Sequence, residues 1–310
     1  MNDPPRTILV TGASGFVGSH LCLALRVHFP NTTIATPRVD LRDDDAVDAL
    51  VQDVRPDICI HLAGVSTVQA ARDRESEAWA INLRGTLNLA NAIRDRSPGC
   101  LLLFASSAEA YGDSFREGHP LTENAALMPL NVYGATKAAA DLALGVMADQ
   151  GLRVIRLRPF NHTGPGQQTA FVVPAFARHI ASIAAGLQPP IVTVGNLDSR
   201  RDFLDVRDVC ASYIACIDHR DSIASGSIFN LSSGQPRRIG DILDDLLSIA
   251  GLRVDIKVDP SLLRPRDLPI THGDSSKARS VFGWQPAVPW QQTLRDVLSD
   301  WSDRVRRIQQ

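Results

Sequence analysis

The sequence predicts an α/β fold, a doubly wound parallel sheet wrapped by helices with a smaller C-terminal α/β lobe. Three observations lead there. Short apolar runs alternate with helical patterns as far as Pro159, the first run ends in a glycine-punctuated turn that opens a helix, and the rhythm then loosens into proline- and glycine-rich stretches. Thr7 to Thr11 is β-branched and apolar and reads as a buried strand, and Val17 to Val27 reads as a helix. Thr32 to Thr36 is a second strand and Ala46 to Asp53 a second helix. Ile58 to Leu62 is a strand, Ala78 to Arg94 a long helix, and Cys100 to Ala105 another strand. Tyr133 to Gln150 forms a helix and Val154 to Arg158 a strand. Beyond it, turn formers crowd Pro159 to Gly166, Gly186 to Gly195 and Asp259 to Gly273. Residues 1–160 therefore form one domain, to which 205–232 returns through a strand at Ile228 to Leu231. Residues 161–204 and 233–310 form the smaller lobe, with the region from Trp284 to Trp301 packing it.

Composition narrows the function classes. The 310 residues are 44% hydrophobic and 21% charged, enough apolar content to bury a large core. Thirty-two basic residues against 34 acidic ones give a net charge of −2, so no global field recruits nucleic acid or an anionic membrane. An anionic ligand must be gripped locally. The apolar runs are strand-length, and Met1 to Thr7 lacks the order of a secretion signal, so the expected address is the cytoplasm. Cys22, Cys59, Cys100, Cys210 and Cys216 are odd in number and form no C-x-x-C pair, which argues for reduced thiols and against a zinc site; no metal is expected.

The turn Thr11-Gly12-Ala13-Ser14-Gly15-Phe16-Val17-Gly18 follows the first strand and opens the first helix. Gly12 permits a tight turn, Gly15 lets backbone amides approach a pyrophosphate and Gly18 lets the helix pack closely. The spacing is G-x-x-G-x-x-G rather than G-x-G-x-x-G, but its position between strand and helix favours a dinucleotide-binding, Rossmann-type domain. No acid follows Ile34-Ala35-Thr36 to hold a ribose 2′-hydroxyl; the chain reads Pro37-Arg38-Val39-Asp40. Arg38 suits a 2′-phosphate, which favours NADP(H) over NAD(H), while Asp40 and Leu41 are the alternative, covering the adenine. Further on, Tyr133 stands four residues before Lys137, one helical turn away. A fixed positive charge there would lower the phenol's pKa toward the range of a working proton donor.

These motifs, with His61-Leu62-Ala63-Gly64, Ser106-Ser107-Ala108-Glu109-Ala110-Tyr111-Gly112 and Arg201-Asp202-Phe203, resemble the extended short-chain dehydrogenase/reductase family of nucleotide-sugar epimerases, dehydratases and reductases. The resemblance covers essentially the whole chain. It implies a catalytic triad of Ser107, Tyr133 and Lys137. It also implies a cofactor site formed by Gly12, Gly15, Phe16, Val17, Gly18, Arg38, Asp40, Leu41, Leu62, Ala63, Gly64 and Pro159 together with Tyr133 and Lys137, with Asn82 beside it or beside the catalytic helix. The stretch Arg158-Pro159-Phe160-Asn161-His162-Thr163-Gly164-Pro165-Gly166-Gln167 is similar to that of the GDP-4-keto-6-deoxy-D-mannose reductases, which form GDP-D-rhamnose. That likeness implies a GDP-sugar substrate met by Ser107, Ala108, Asn161, His162, Val172, Arg201, Arg264 and Asp267. Guanidinium forks at Arg201 and Arg264 would take the diphosphate.

Alternatives stay open. Glu109 stands where related 4,6-dehydratases keep a base, although Ser107 and Ala108 depart from their pattern; a 4-epimerase is a third reading, and a non-catalytic cofactor-binding sensor is remote. The helices around Ala78 to Arg94 and Tyr133 to Gln150 match those of a four-helix dimer interface in the family, with Ala135, Ala138, Ala139 and Ala140 allowing close packing, so a homodimer is expected.

Overall fold

The computed structural model describes residues 3–263 and 267–308. The first half runs β1 (Thr7–Thr11), α1 (Phe16–His28), β2 (Thr33–Ala35), α2 (Asp44–Val54), β3 (Ile58–His61), α3 (Val68–Asp73), α4 (Glu75–Trp79), a π segment (Ala80–Gly85), α5 (Thr86–Arg96), β4 (Leu101–Ala105), α6 (Val132–Asp149) and β5 (Val154–Pro159). There follow β6 (Asn161–Thr163), α7 (Val172–Ala184), β7 (Ile191–Val194), β8 (Arg200–Asp205), α8 (Val206–Asp218) and β9 (Ile228–Leu231). The chain closes with β10 (Pro236–Arg238), α9 (Ile239–Ala250), β11 (Asp255–Val258), β12 (Ile270–Thr271), α10 (Ser276–Phe282) and α11 (Trp290–Ile308). No helix among the described residues is long and apolar enough to cross a membrane.

Six strands make one parallel sheet in the order β2-β1-β3-β4-β5-β9. Successive side chains of a strand point to opposite faces, so a strand covered on both sides must be apolar throughout. Ile8, Val10, Ile58, Ile60, Leu101, Leu103, Ile155 and Leu157 accordingly pack in one core with α1 and α8. The alternate residues Leu9, Cys59, Leu102, Phe104 and Val154 pack in the other with α2, α5 and α6. The chain steps from β1 outward to β2, then back to β3 on the other side of β1. That reversal opens a crevice at the carboxyl ends of β1 and β3, where ligands bind in open α/β sheets.

Phe160, buried between β5 and β6, is where the chain leaves the main sheet. β6 pairs with β8 of a second sheet, ordered β10-β8-β12, and a third core joins α7, α9 and α11. Two sequence expectations change here. Trp284 does not pack with this third core. It joins Phe282 and Phe229 against the main sheet and donates its indole N–H to the Asp208 carbonyl at 2.9 Å, whereas Trp290 and Trp301 pack with α7 and α9. The long helix expected from Ala78 to Arg94 is interrupted by the π segment, where the Thr86 hydroxyl donates to the Asn82 carbonyl at 2.7 Å. A threonine bonded back to the carbonyl four residues earlier competes with the helical ladder, and a π turn absorbs the misfit.

Candidate active site

The glycine turn sits in the crevice and is shaped by what touches it. Gly12 has φ +73°, and a Cβ there would come within 2.6 Å of the Ala63 amide nitrogen. A Cβ on Gly18 would lie 2.2 Å from the Gly12 carbonyl, so both positions require glycine. At Gly15 a Cβ would meet only the Gly12 carbonyl, at 3.2 Å, and the outer side of the turn is open. No side chain caps α1 and its first turn holds no acid, which leaves uncapped amides and the positive end of the helix at that open side. Such a cradle fits the pyrophosphate of a dinucleotide. Phe16 and Val17 begin α1, while Leu62, Ala63 and Gly64 follow β3 across the crevice.

Past β2, Arg38 is exposed, whereas Asp40 is engaged by Arg42 at 2.6 Å, whose hydrogen bonds hold its carboxyl down at about 2. Leu41 is buried, and a Cβ on Gly85 would come within 2.8 Å of its side chain, so the π segment seats this loop.

Ser107, in the turn after β4, and Tyr133 and Lys137, on the first turns of α6, come together at the same end of the sheet. The Ser107 hydroxyl shares a hydrogen bond with the Tyr133 phenol. Lys137 is buried, donates to the Ala105 carbonyl at 2.7 Å and lies 5.1 Å from the centre of the Phe104 ring. The electrostatics differ from the sequence expectation. Burial pushes the Tyr133 phenol up to about 12, against the pull of the Ser107 hydrogen bond and with a further push from Glu109; Lys137 is not among the causes. Burial also brings Lys137 down to about 8, opposed by Asp141. Loss of solvation decides the phenol's state, and it keeps its proton.

Two buried polar networks support this pair. Asn82, in the π segment, accepts from the Val65 amide at 2.8 Å and donates to the Val65 carbonyl and to the Thr136 hydroxyl, tying the loop after β3 to α6. Because Thr86 spends its proton on the Asn82 carbonyl, it must accept from His61 Nε2, at 2.9 Å. His61 Nδ1 then accepts from the Thr11 hydroxyl at 2.7 Å. The histidine is therefore fixed as one neutral tautomer, and burial, with Lys137 adding to it, lowers its pKa to about 3. In the second network Arg158 forks onto Asp141, two N–H donors each at 2.9 Å, and donates to the Tyr111 hydroxyl at 3.0 Å. Arg156 reaches the same carboxylate at 3.1 Å.

Glu109 accepts from the Asn131 amide at 2.9 Å. Pro159 ends β5, and Ala108 is buried beside Ser107. Asn161 is exposed on β6, and His162 stacks on Phe16 at 6.1 Å, so the loop expected to meet substrate leans on the helix of the glycine turn. His162 Nδ1 donates to the Phe160 carbonyl at 3.0 Å, and burial lowers its pKa. Val172 begins α7. Arg201 pairs with Asp267 at 2.5 Å and donates to the Leu268 carbonyl, and Ser199 donates to the same carboxylate. Arg264 lies outside the described residues. Sequence reasoning missed Asn131, Asp141 and the His61 chain. Only Asp141 carried a local signal, an acid one turn beyond Lys137.

The model of the NAD dependent epimerase/dehydratase family matches residues 8–232. The chain is 38% identical to a GDP-6-deoxy-D-mannose reductase of Pseudomonas aeruginosa, covering 96% of this chain and 98% of that one. It is 30% identical to a GDP-6-deoxy-D-talose 4-dehydrogenase of Aggregatibacter actinomycetemcomitans, covering 89% and 91%. A solved structure of RMD from Pseudomonas aeruginosa complexed with NADPH superposes with a TM-score of 0.88 at 35% identity, covering 96% of this chain and 99% of that one.

Proposed function

The chain belongs to the NAD dependent epimerase/dehydratase family, and from that premise we propose that it is an NAD(P)H-dependent reductase acting on the C4 ketone of a GDP-linked 4-keto-6-deoxyhexose. The observation that carries this reading is the end-to-end likeness to a GDP-6-deoxy-D-mannose reductase, with identity above that to the talose dehydrogenase. The product is GDP-D-rhamnose or its C4 epimer.

When bound, the reduced nicotinamide supplies the hydride. The chain does the rest. The uncapped amides of α1 and the open side of Gly15 hold the pyrophosphate. Ser107 donates to the ketone oxygen and steadies the charge that develops there. Tyr133 gives its phenolic proton to the same oxygen. Lys137, fixed against Ala105, holds the cofactor's ribose and supplies a positive charge to the emerging phenolate. The segments 161–204 and 233–310 form the nucleotide-sugar side, with Asn161, His162 and Val172 near the sugar and Arg201, oriented by Asp267, at the diphosphate. The chain works as a homodimer through α5 and α6, where Leu142 and Val146, one turn apart, are exposed.

Incubation with a GDP-4-keto-6-deoxyhexose and NADPH is expected to oxidise the cofactor and yield the 6-deoxyhexose. Release of a 4-keto product from GDP-mannose alone would instead mark a dehydratase. Tyr133→Phe keeps the ring and loses the donor, so kcat falls on the order of 10²- to 10⁴-fold with cofactor affinity unchanged. Arg38→Ala, measured by NADPH and NADH dissociation constants, weakens NADPH alone; equal loss for both removes Arg38 from 2′-phosphate recognition.

A further inference from the structure

Glu109 holds a place that the reduction as described leaves unused. Its amide donates to Ser107 Oγ at 3.1 Å, and its carboxylate accepts from Asn131 Nδ2 at 2.9 Å. The other end of that Asn131 side chain accepts the Gly134 amide at 2.8 Å and so caps α6. The two backbones are nearly in contact as well, since a Cβ on Gly134 would fall 2.5 Å from the Glu109 carbonyl. Tyr133 lies between Asn131 and Gly134, with its phenol on Ser107. The carboxylate is thus pinned at the mouth of the catalytic helix, from both sides of the tyrosine.

We infer that Glu109 is a positioning residue for the reduction: its negative charge, anchored by Asn131, helps keep the proton on Tyr133 until the substrate oxygen takes it. The inference rests on the reductive reading above. A reductase must begin every turnover with the phenol protonated. Burial is the first hold on that proton, and Glu109, fixed beside Ser107 and at the cap of α6, is the charged group whose field adds to it. Among the described residues, the other groups that act on Tyr133 are the neutral Ser107 and Tyr213, on α8, while the Asp141 carboxylate acts on Lys137 and is occupied by Arg156 and Arg158. A carboxylate tied to the cap of α6 also has less freedom to swing onto a sugar carbon as a base.

The test separates charge from anchorage. Glu109→Gln keeps an acceptor for Asn131 and removes the charge; Glu109→Ala removes both. The alkaline limb of kcat/KM against pH is expected to fall about one pH unit lower, a roughly tenfold loss of proton affinity, in both variants. Only Glu109→Ala also lowers the melting temperature. An unshifted limb in Glu109→Gln overturns the inference. Ionisation of Tyr133 can also be followed without substrate, as the ultraviolet phenolate difference between each protein and its Tyr133→Phe counterpart, loaded with NADP. A lower midpoint in Glu109→Gln upholds the role of the charge even if the ketosugar is not turned over, and an unchanged midpoint refutes it even if it is.

Discussion

Two buried networks brace the catalytic helix, and they do so with opposite chemistry. The one around His61 is neutral throughout: hydroxyl, imidazole, hydroxyl and carbonyl follow one another with every proton assigned. The one around Asp141 is ionic, with two guanidinium groups on one carboxylate that is fully buried. Burial pushes the Asp141 carboxyl up, and the hydrogen bonds and charge of Arg158 more than reverse it. The neutral network fixes positions, because each hydrogen bond has one direction. The ionic network fixes charge near Lys137, because removing either sign strands the other in a medium that cannot solvate it.

That contrast can be broken by experiment. Asp141→Ala leaves Arg156 and Arg158 buried without a counterion, and is expected to cost about 3–5 kcal/mol in urea denaturation. Replacing the whole cluster, Asp141→Leu with Arg156→Met and Arg158→Met, is expected to recover most of that loss. Failure of the triple variant to recover would mean that the cluster acts through shape rather than charge. Asn82→Ala removes three neutral hydrogen bonds and is expected to cost about 1–3 kcal/mol. A loss as large as that of Asp141→Ala would erase the distinction.

Acid titration is the most diagnostic test, because the networks fail in different pH windows. His61 is neutral when folded, with a pKa of about 3 against 6.5 for the free side chain. The unfolded chain therefore binds the extra proton first, so this contribution is complete above pH 6.5 and is lost as pH falls from 6.5 toward 3, by about 1.4 kcal/mol per pH unit. Asp141, with its folded pKa lowered, contributes fully above 3.8 and fails only below that. Stability against pH should slope between 6.5 and 3.8 in the wild type, and His61→Gln should flatten that slope. An unaltered slope would place the acid sensitivity elsewhere.

The main sheet was legible because both faces of its strands are covered, so Ile8, Leu9 and Val10 are all apolar and no other element suits them. The glycine turn and the Tyr133–Lys137 pair were legible because their geometry is local. The His61 chain was not, since Thr11, His61 and Thr86 meet only once three elements have packed. The lysine's field on the phenol was misjudged for a related reason: spacing gives proximity along a helix but not the desolvation that decides the phenol's state. Trp284 was misplaced because a large apolar side chain declares that it will be buried but not against which core.

The π segment gives this helix a tolerance in length. It holds one more residue than the same stretch of regular helix would, and Leu89 and Ile93 downstream keep their place against the sheet because the wider turn absorbs the surplus. Deleting one residue between 80 and 85 would restore a regular spiral and leave both facing the sheet, whereas an added residue with no wider turn to absorb it would rotate everything after it by roughly 100° about the axis. What such a deletion would undo is the seat of Asn82, not the core beyond it.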